Sequence, residues 1–419
     1  MSGTAGRAHG TILTVTPNPS LDRTYEIPGL ARGAVLRAGA DRVDPGGKGV
    51  NVSCALTAAG RRTIAVLPLG GPEGALLARL LEERGIEVAG VPVRGSTRVN
   101  ISLAEPNGTL TKINAPGPEL TGREAGALLD RVEAPGGCAA APAADGARAG
   151  GAGTDGAGHG TADGTVNGAG HGTADGTANG AADGTADGTA VGIAWIVCCG
   201  SLPGGLSSGW YAELVRRCNL RGVRVALDTS GPALRAALRE RPDVVKPNAD
   251  ELAEAVGRPL ATVGDAVKAA EELRTSGARA VLASLGATGQ LLADATGTYF
   301  ASAPAPAVRS DVGAGDASLA GFLAAGGSGP GALASAVAYG AAAVQLPGSA
   351  MPRPADVRPE AVSVTTRPPL DHPLGRPLAG PPPDEAELAA GPENTAATEN
   401  TAGPENTANT ANDADGAVR

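Results

Sequence analysis

From Ala194 to Ser284 the chain alternates without a break between short apolar runs and segments with helical spacing. Ala194–Cys199, Val223–Asp228, Val244–Lys246 and Ala280–Ser284 read as strands. Between them Ser208–Arg217, Pro232–Arg239, Ala249–Val256 and Val263–Ser276 read as helices. Strands joined through helices pair in parallel, because each crossover returns the chain to the same edge of the sheet. The expectation is an α/β fold, a mostly parallel sheet with helices on both faces. Ligands of such sheets gather at the carboxyl ends of the strands. The N-terminal part continues the pattern with strands at Thr11–Thr16 and Ile64–Leu69 and helices at Gly49–Ala59, Glu73–Arg84 and Thr121–Glu133. Short polar/apolar alternations near 34–43 and 94–114, with the turn pair Asn107-Gly108, predict a small antiparallel sheet outside the main one.

Composition sets the domain boundaries. Residues 134–191 are almost wholly Gly, Ala, Thr, Asp and Asn, and residues 366–419 are rich in Pro, Ala, Glu, Asn and Thr. Neither stretch carries enough apolar surface to offset the entropy of ordering it, so both are expected to be disordered. One domain is then built from 11–133 and 192–365. A direct repeat at 156–165 and 168–177, containing His159 and His171, lacks the period of calcium-binding repeats, and these histidines are assigned no role. The formal net charge of −9 and the absence of a basic run argue against nucleic acid as a partner. No apolar run reaches the length of a membrane span, and Met1–Gly10 is too polar for a signal peptide. Five cysteines without metal-ligand spacing fit a reducing cytoplasm.

The chemistry is marked by lysine and glycine. Only four lysines occur (Lys48, Lys112, Lys246 and Lys268) among 34 basic residues. Two of them sit in Gly46-Gly47-Lys48-Gly49 and Lys246-Pro247-Asn248. Where arginine is so freely used, a retained lysine suggests a need for a compact point charge, as beside a crowded phosphate. Gly46–Asn51 opens one helix, and Val312-Gly313-Ala314-Gly315-Asp316 opens another with Leu319, Ala320 and Leu323 on its apolar face. A glycine turn entering a helix N-terminus offers free N–H groups and a positive dipole end to a phosphoryl group. An aspartate there can take the proton of an attacking hydroxyl, or can simply cap the helix. Two such cradles in one chain point to a kinase handling two phosphate groups.

These motifs resemble the PfkB branch of the ribokinase-like carbohydrate kinases, particularly its phosphosugar group. Thr14–Asp22 resembles the opening strand, Val43–Asn51 the first signature and Val312–Asp316 the second. Thr97–Asn100, Gly200–Gly204, Leu227–Gly231, Lys246–Glu251 and Ser284–Gly289 follow in family order. The resemblance covers 11–133 and 192–350 and implies a ribokinase-like fold whose small sheet is a β lid.

The resemblance also implies roles. Asp22, Gly47 and Asn51 would hold the sugar, and Lys48, Arg98 and Arg37 the phosphate already on it. The backbone of Gly313, Ala314 and Gly315 would stabilise the transferring phosphoryl, with Asp316 as base. Lys246, Asn248, Ser284, Gly286 and Gly289 would line the ATP site, and Glu251 would act indirectly on Mg2+. The implied reaction is ATP-dependent phosphorylation of fructose 1-phosphate to fructose 1,6-bisphosphate, with tagatose 6-phosphate or fructose 6-phosphate as alternative substrates. A sugar-phosphate sensor on a kinase fold is the non-enzymatic alternative. A homodimer through the lid is expected. One residue departs from the family pattern: Asp311 stands where Thr or Ser is usual and would set a carboxylate beside the phosphate cradle.

Overall fold

A computed structural model describes residues 10–135 and 192–377. The first stretch contains β1 (Thr11–Val15), β2 (Ser20–Glu26), β3 (Ala40–Gly46), α1 (Lys48–Ala58), β4 (Thr63–Leu69), α2 (Gly71–Glu82), β5 (Glu87–Pro92), β6 (Arg98–Ala104), β7 (Leu110–Ile113) and α3 (Gly122–Glu133). The second contains β8 (Ile193–Cys199), α4 (Trp210–Leu220), β9 (Arg224–Asp228), α5 (Gly231–Leu238), β10 (Val244–Val245), α6 (Ala249–Val256) and α7 (Val263–Thr275). It continues with β11 (Val281–Ser284), β12 (Gln290–Asp294), β13 (Gly297–Ser302), α8 (Ala314–Ala324), α9 (Gly329–Ala343) and β14 (Ser363–Thr365).

The main sheet runs β5-β4-β1-β8-β9-β10-β11-β12-β13-β14. It is parallel from β5 to β11, and the last three strands return antiparallel. Its central strands are buried on both faces and therefore read as continuous apolar runs. In β8, Ile196 and Cys198 face one layer with Leu128, Leu214 and Leu234, while Trp195, Val197 and Cys199 face the other with Leu56, Phe322 and Leu333. Both faces are covered, as the β-α alternation requires. The chain reverses direction across the sheet at β1, which lies between β4 and β8, and this places a crevice at the carboxyl edge there.

The small sheet runs β3-β2-β6-β7. Its outer pairings are antiparallel, while the central β2–β6 pair is parallel. The reason is topological: β2 follows β1 and β6 follows β5, so both leave the same edge of a parallel sheet. Strand β2 has no counterpart among the alternations near 34–43 and 94–114, and residues 34–39 lie outside β3, with Gly39 N donating to Glu26 O at 2.8 Å to lead into the β2–β3 pair.

The expected domain end at 365 falls short. Residues 370–374 pair with the entrance to α7: Val263 N donates to His372 O at 3.0 Å, Gly264 N to Leu370 O at 2.8 Å, and Leu374 N to Ala261 O at 2.9 Å. Backbone pairing of this kind does not depend on the apolar residues whose scarcity suggested disorder. The insert leaves after α3 and returns at Gly192, whose carbonyl accepts from Thr11 N at the amino end of β1. That edge is opposite the carboxyl ends. Of the stretches expected to be disordered, 134–191 and 366–419, residues 136–191 and 378–419 lie outside the described residues, as do His159, His171 and the repeats. Among the described residues no helix is long and apolar enough to cross a membrane.

Candidate active site

Both glycine motifs open helices whose N-caps carry no side-chain hydrogen bond. Gly47 (φ 113°) precedes α1 and Gly313 (φ 77°) precedes α8. These positive φ values suit glycine, which reaches the left-handed region without a Cβ clash. The two helices pack together, and Asn51 Nδ2 donates to Asp316 Oδ2 at 2.9 Å. Asp316 is buried in the first turn of α8, and the N-cap itself is Gly313, with no side-chain hydrogen bond. Burial first, and then the nearby charge of Asp228, pushes its carboxyl up to about 6.

Below this pair lies a charge cluster that the sequence did not single out. Asp228, at the carboxyl end of β9, is fully buried. Its Oδ1 takes Lys48 Nζ at 2.7 Å and its Oδ2 lies 2.9 Å from Lys246 Nζ. Burial alone would raise the Asp228 carboxyl, but Lys246 and then Lys48 outweigh it and hold it below the usual carboxylate range. Reciprocally, Asp228 overcomes the burial of both ammonium groups and keeps them above the ordinary lysine range, hence charged. Gly315 makes room for this: a Cβ there would lie 3.2 Å from Lys246 Nζ. Lys48 also reaches Glu251 Oε1 at 3.4 Å, and 40% of its side chain remains exposed toward the crevice.

Asp22 and Arg98 form a second cluster, on the small sheet. Ser20 Oγ and Asn100 Nδ2 donate to Asp22 Oδ1 at 2.7 and 2.9 Å. Arg98 donates to Ala115 O and Asn18 O, both at 2.9 Å, while its buried Nε has no partner in the protein. Desolvation lowers the guanidinium below its ordinary value, with Asp22 pulling the other way. Arg98 and Lys48 therefore have different immediate neighbours. Arg37 is exposed and makes no hydrogen bond or ion pair within the described residues. Asp311 is exposed too, although its carbonyl accepts from Ala314 N at 3.3 Å.

Beyond Lys246 the expected nucleotide residues share one edge. Asn248 bridges to Ser284 in parallel fashion, and Ser284 N donates to Pro247 O at 3.0 Å. Asn248 and Glu251 form a capping box at the start of α6: Asn248 Oδ1 accepts from Glu251 N at 2.8 Å, and Glu251 Oε2 accepts from Asn248 N at 2.9 Å. Glu251 thus spends one oxygen on its helix and turns the other toward Lys48. Gly286 begins the turn after β11 and is exposed, and a Cβ added there would meet nothing within 4 Å. Gly289 has a structural need, since a Cβ there would overlap the carbonyl of Ala301. No group of three or more His, Cys, Asp or Glu suited to a metal occurs among the described residues. The acids present fit a magnesium ion carried mainly by phosphate and water rather than a protein cage.

Residues 18–127 and 183–356 match the pfkB family of carbohydrate kinases. The chain belongs to this family. It is 33% identical over 74% of its length to a 1-phosphofructokinase of Rhodobacter capsulatus, covering 82% of that protein. It is 31% identical over 74% of its length to an ATP-dependent 6-phosphofructokinase isozyme 2 of Mycobacterium tuberculosis, covering 76%. The phosphofructokinase-2 of Escherichia coli, solved with substrates and products, superposes with a TM-score of 0.65 at 28% identity, covering 83% of this chain and 96% of that one. A carbohydrate kinase of this family transfers a phosphoryl group to a sugar hydroxyl.

Sequence reasoning missed Asp228 and Asn100. Both stood inside motifs matched to the family, but nothing local showed that Asp228 meets lysines 180 and 18 positions away, as its contacts with Lys48 and Lys246 require. Asp228→Asn is expected to destabilise the fold by about 3–5 kcal/mol, the cost of leaving buried charges without their partner. Urea unfolding checks this, and an unchanged midpoint would show that the lysines do not depend on Asp228.

Proposed function

We propose that the chain transfers the γ-phosphoryl group of ATP to the 6-hydroxyl of fructose 1-phosphate, giving fructose 1,6-bisphosphate and ADP. The observation that carries the mechanism is the Asn51–Asp316 bond, which joins the two glycine cradles at a buried carboxylate. The substrate hydroxyl loses its proton to Asp316 as its oxygen bonds to the γ-phosphorus, and the bond to the β-phosphate oxygen breaks. The N–H groups of Gly313, Ala314 and Gly315 receive the charge of the transferring phosphoryl. Lys246 and Lys48, fixed by Asp228, face the phosphates. Asn51, Gly47 and Asp22 hold the sugar, with Asn100 and Ser20 orienting the Asp22 carboxylate.

Arg98 is assigned the phosphate already on the sugar, with Lys48 from the other side and Arg37 as an outer cation. A desolvated guanidinium with an unpaired buried Nε is under-compensated, and a phosphate dianion supplies the missing charge. Asn248, Ser284, Gly286 and Gly289 form the edge for the nucleotide. Magnesium bound with ATP would neutralise phosphate charge, and Glu251 is the acid placed to orient its water shell. The name borne by the Rhodobacter relative supports fructose 1-phosphate; fructose 6-phosphate, from the Mycobacterium relative, and tagatose 6-phosphate are the alternatives. A cytoplasmic setting belongs to the same reading.

Strand β7 leaves Ile113 56% and Leu110 38% exposed, and the connection between β2 and β3 leaves Val35 85% and Leu30 48% exposed. We assign this apolar surface to a homodimer contact through the lid. Sedimentation at micromolar concentration is expected to show a dimer, and a monomer would contradict the assignment.

Asp316 works as a base only when ionised, so kcat/KM is expected to rise with pH through about 6 and level off above it. Asp316→Asn is expected to lose about 10²–10⁴-fold in turnover. Because a raised carboxyl value means the fold disfavours the charge, the same substitution should leave Tm at neutral pH unchanged or higher. Near-normal turnover would overturn the mechanism.

Fructose 1-phosphate is expected to exceed fructose in kcat/KM by at least about 100-fold, the scale of one lost charge-assisted contact in a desolvated site. Arg98→Ala should erode this preference by raising KM for the phosphosugar. Equal use of free fructose would contradict the anchor, whereas preference for fructose 6-phosphate would change only the named substrate.

A further inference from the structure

The family match ends at residue 356, yet the chain continues in defined structure to residue 377. After β14 it runs along the start of α7 and reaches the turn that carries Gly286 and Gly289. We infer that residues 368–377 form a C-terminal strap that positions the nucleotide turn, with Thr288 as the positioning residue. This rests on the assignment of that turn to ATP.

The strap is anchored at two places. At the first, Val263 N and Gly264 N are among the opening N–H groups of α7, which no helical carbonyl can satisfy. The carbonyls of His372 and Leu370 satisfy them at 3.0 and 2.8 Å. The approach is close: a Cβ on Gly264 would stand 2.9 Å from Leu370 O. Leu374 then packs against the apolar cluster on that face of the sheet. At the second anchor, Gly375 N donates to Thr288 Oγ1 at 2.9 Å. Thr288 is fully buried, so its hydroxyl has a defined partner and water cannot substitute for it.

Thr288 closes a single turn of 3-10 helix, Gly286–Thr288, whose own bonds are long. Thr288 N to Leu285 O and Gly289 N to Gly286 O are both 3.3 Å. Leu285 N closes the base of the loop on Gly289 O at 2.9 Å, and the strap adds a further restraint from beneath at Thr288. Its outer face stays open at Gly286, where a ligand can lie against the backbone. Among the described residues the strap makes no hydrogen bond or ion pair to the residues assigned to the sugar, the phosphate cradles or the base. Its effect should therefore fall on ATP alone.

The test measures KM for ATP and for the phosphosugar, kcat, and direct ATP binding by calorimetry, in the full chain and in five variants. Thr288→Val keeps the shape and removes the acceptor, while Thr288→Ser keeps the acceptor. One truncated chain ends at Arg367 and lacks the strap; another ends at Pro377 and keeps it. Gly286→Asn places a side chain on the open face, in a left-handed conformation that asparagine tolerates. Thr288→Val and the chain ending at Arg367 are expected to weaken ATP binding by about three- to tenfold, the range of one lost hydrogen bond. The phosphosugar KM and kcat should hold, and Thr288→Ser and the chain ending at Pro377 should behave as the parent. If Thr288→Val leaves ATP binding unchanged while Gly286→Asn weakens it, the strap inference is wrong and the nucleotide assignment stands. If Gly286→Asn also has no effect, the nucleotide assignment fails and the inference falls with it. An equal loss in both KM values and kcat would mean that the strap serves only general stability, which also overturns the inference.

Discussion

A single buried carboxylate, Asp228, organises the charges of the crevice. It ends a central strand, is closed off from water and lies between two ammonium groups at 2.7 and 2.9 Å. Burial acts against the charge of both lysines, and Asp228 is the largest influence opposing it, with Glu251 adding to it at Lys48 and Asp316 at both. Asp228 also fixes where the positive charges stand, since Lys48 comes from the helix beside the small sheet and Lys246 from the end of β10. Its negative charge is felt by Asp316, which it helps to keep at a carboxyl value near 6. One residue thus supports the charge of both lysines and, after burial, helps raise the carboxyl value of Asp316.

The fold supplies the geometry for this cluster. Parallel strands bring Asp228, Lys246 and Ser284 to one edge, and two glycine-led helices approach that edge from the opposite face to the one covered by α3, α4 and α7. Asn51 and Asp316 close the contact between those helices. The small sheet rises from the same edge because β2 and β6 both continue strands that point there. The cluster around Asp22 and Arg98 and the cluster around Asp228 are therefore built from separate pieces of chain that leave the same edge of the main sheet.

Much of this was legible from local pattern. The β-α alternation gives the parallel sheet, since a strand buried on both faces must be apolar throughout, as in Ile193–Cys199. Glycine before a helix marks both cradles, and Asn51 and Asp316, one from each motif, are bonded to each other. What escaped the reading depends on contacts distant in sequence or on backbone alone. Asp228 looks like any polar residue ending a strand until two remote lysines meet it. The parallel centre of the small sheet follows from where its strands depart, not from their alternation. The segment Pro368–Leu374 carries three prolines among seven residues, and it is held by the carbonyls of Leu370 and His372 together with the packing of Leu374.

Charge coupling between Asp228 and Asp316 underlies the whole site, and the pH dependence of kcat/KM in Asp228→Asn probes it without an intermediary. Removing the neighbouring negative charge, while both lysines remain, should make Asp316 easier to ionise. The acidic limb should then move from about pH 6 to lower pH, even if the maximum rate falls. A limb that stays in place or moves upward would contradict the central role given to Asp228.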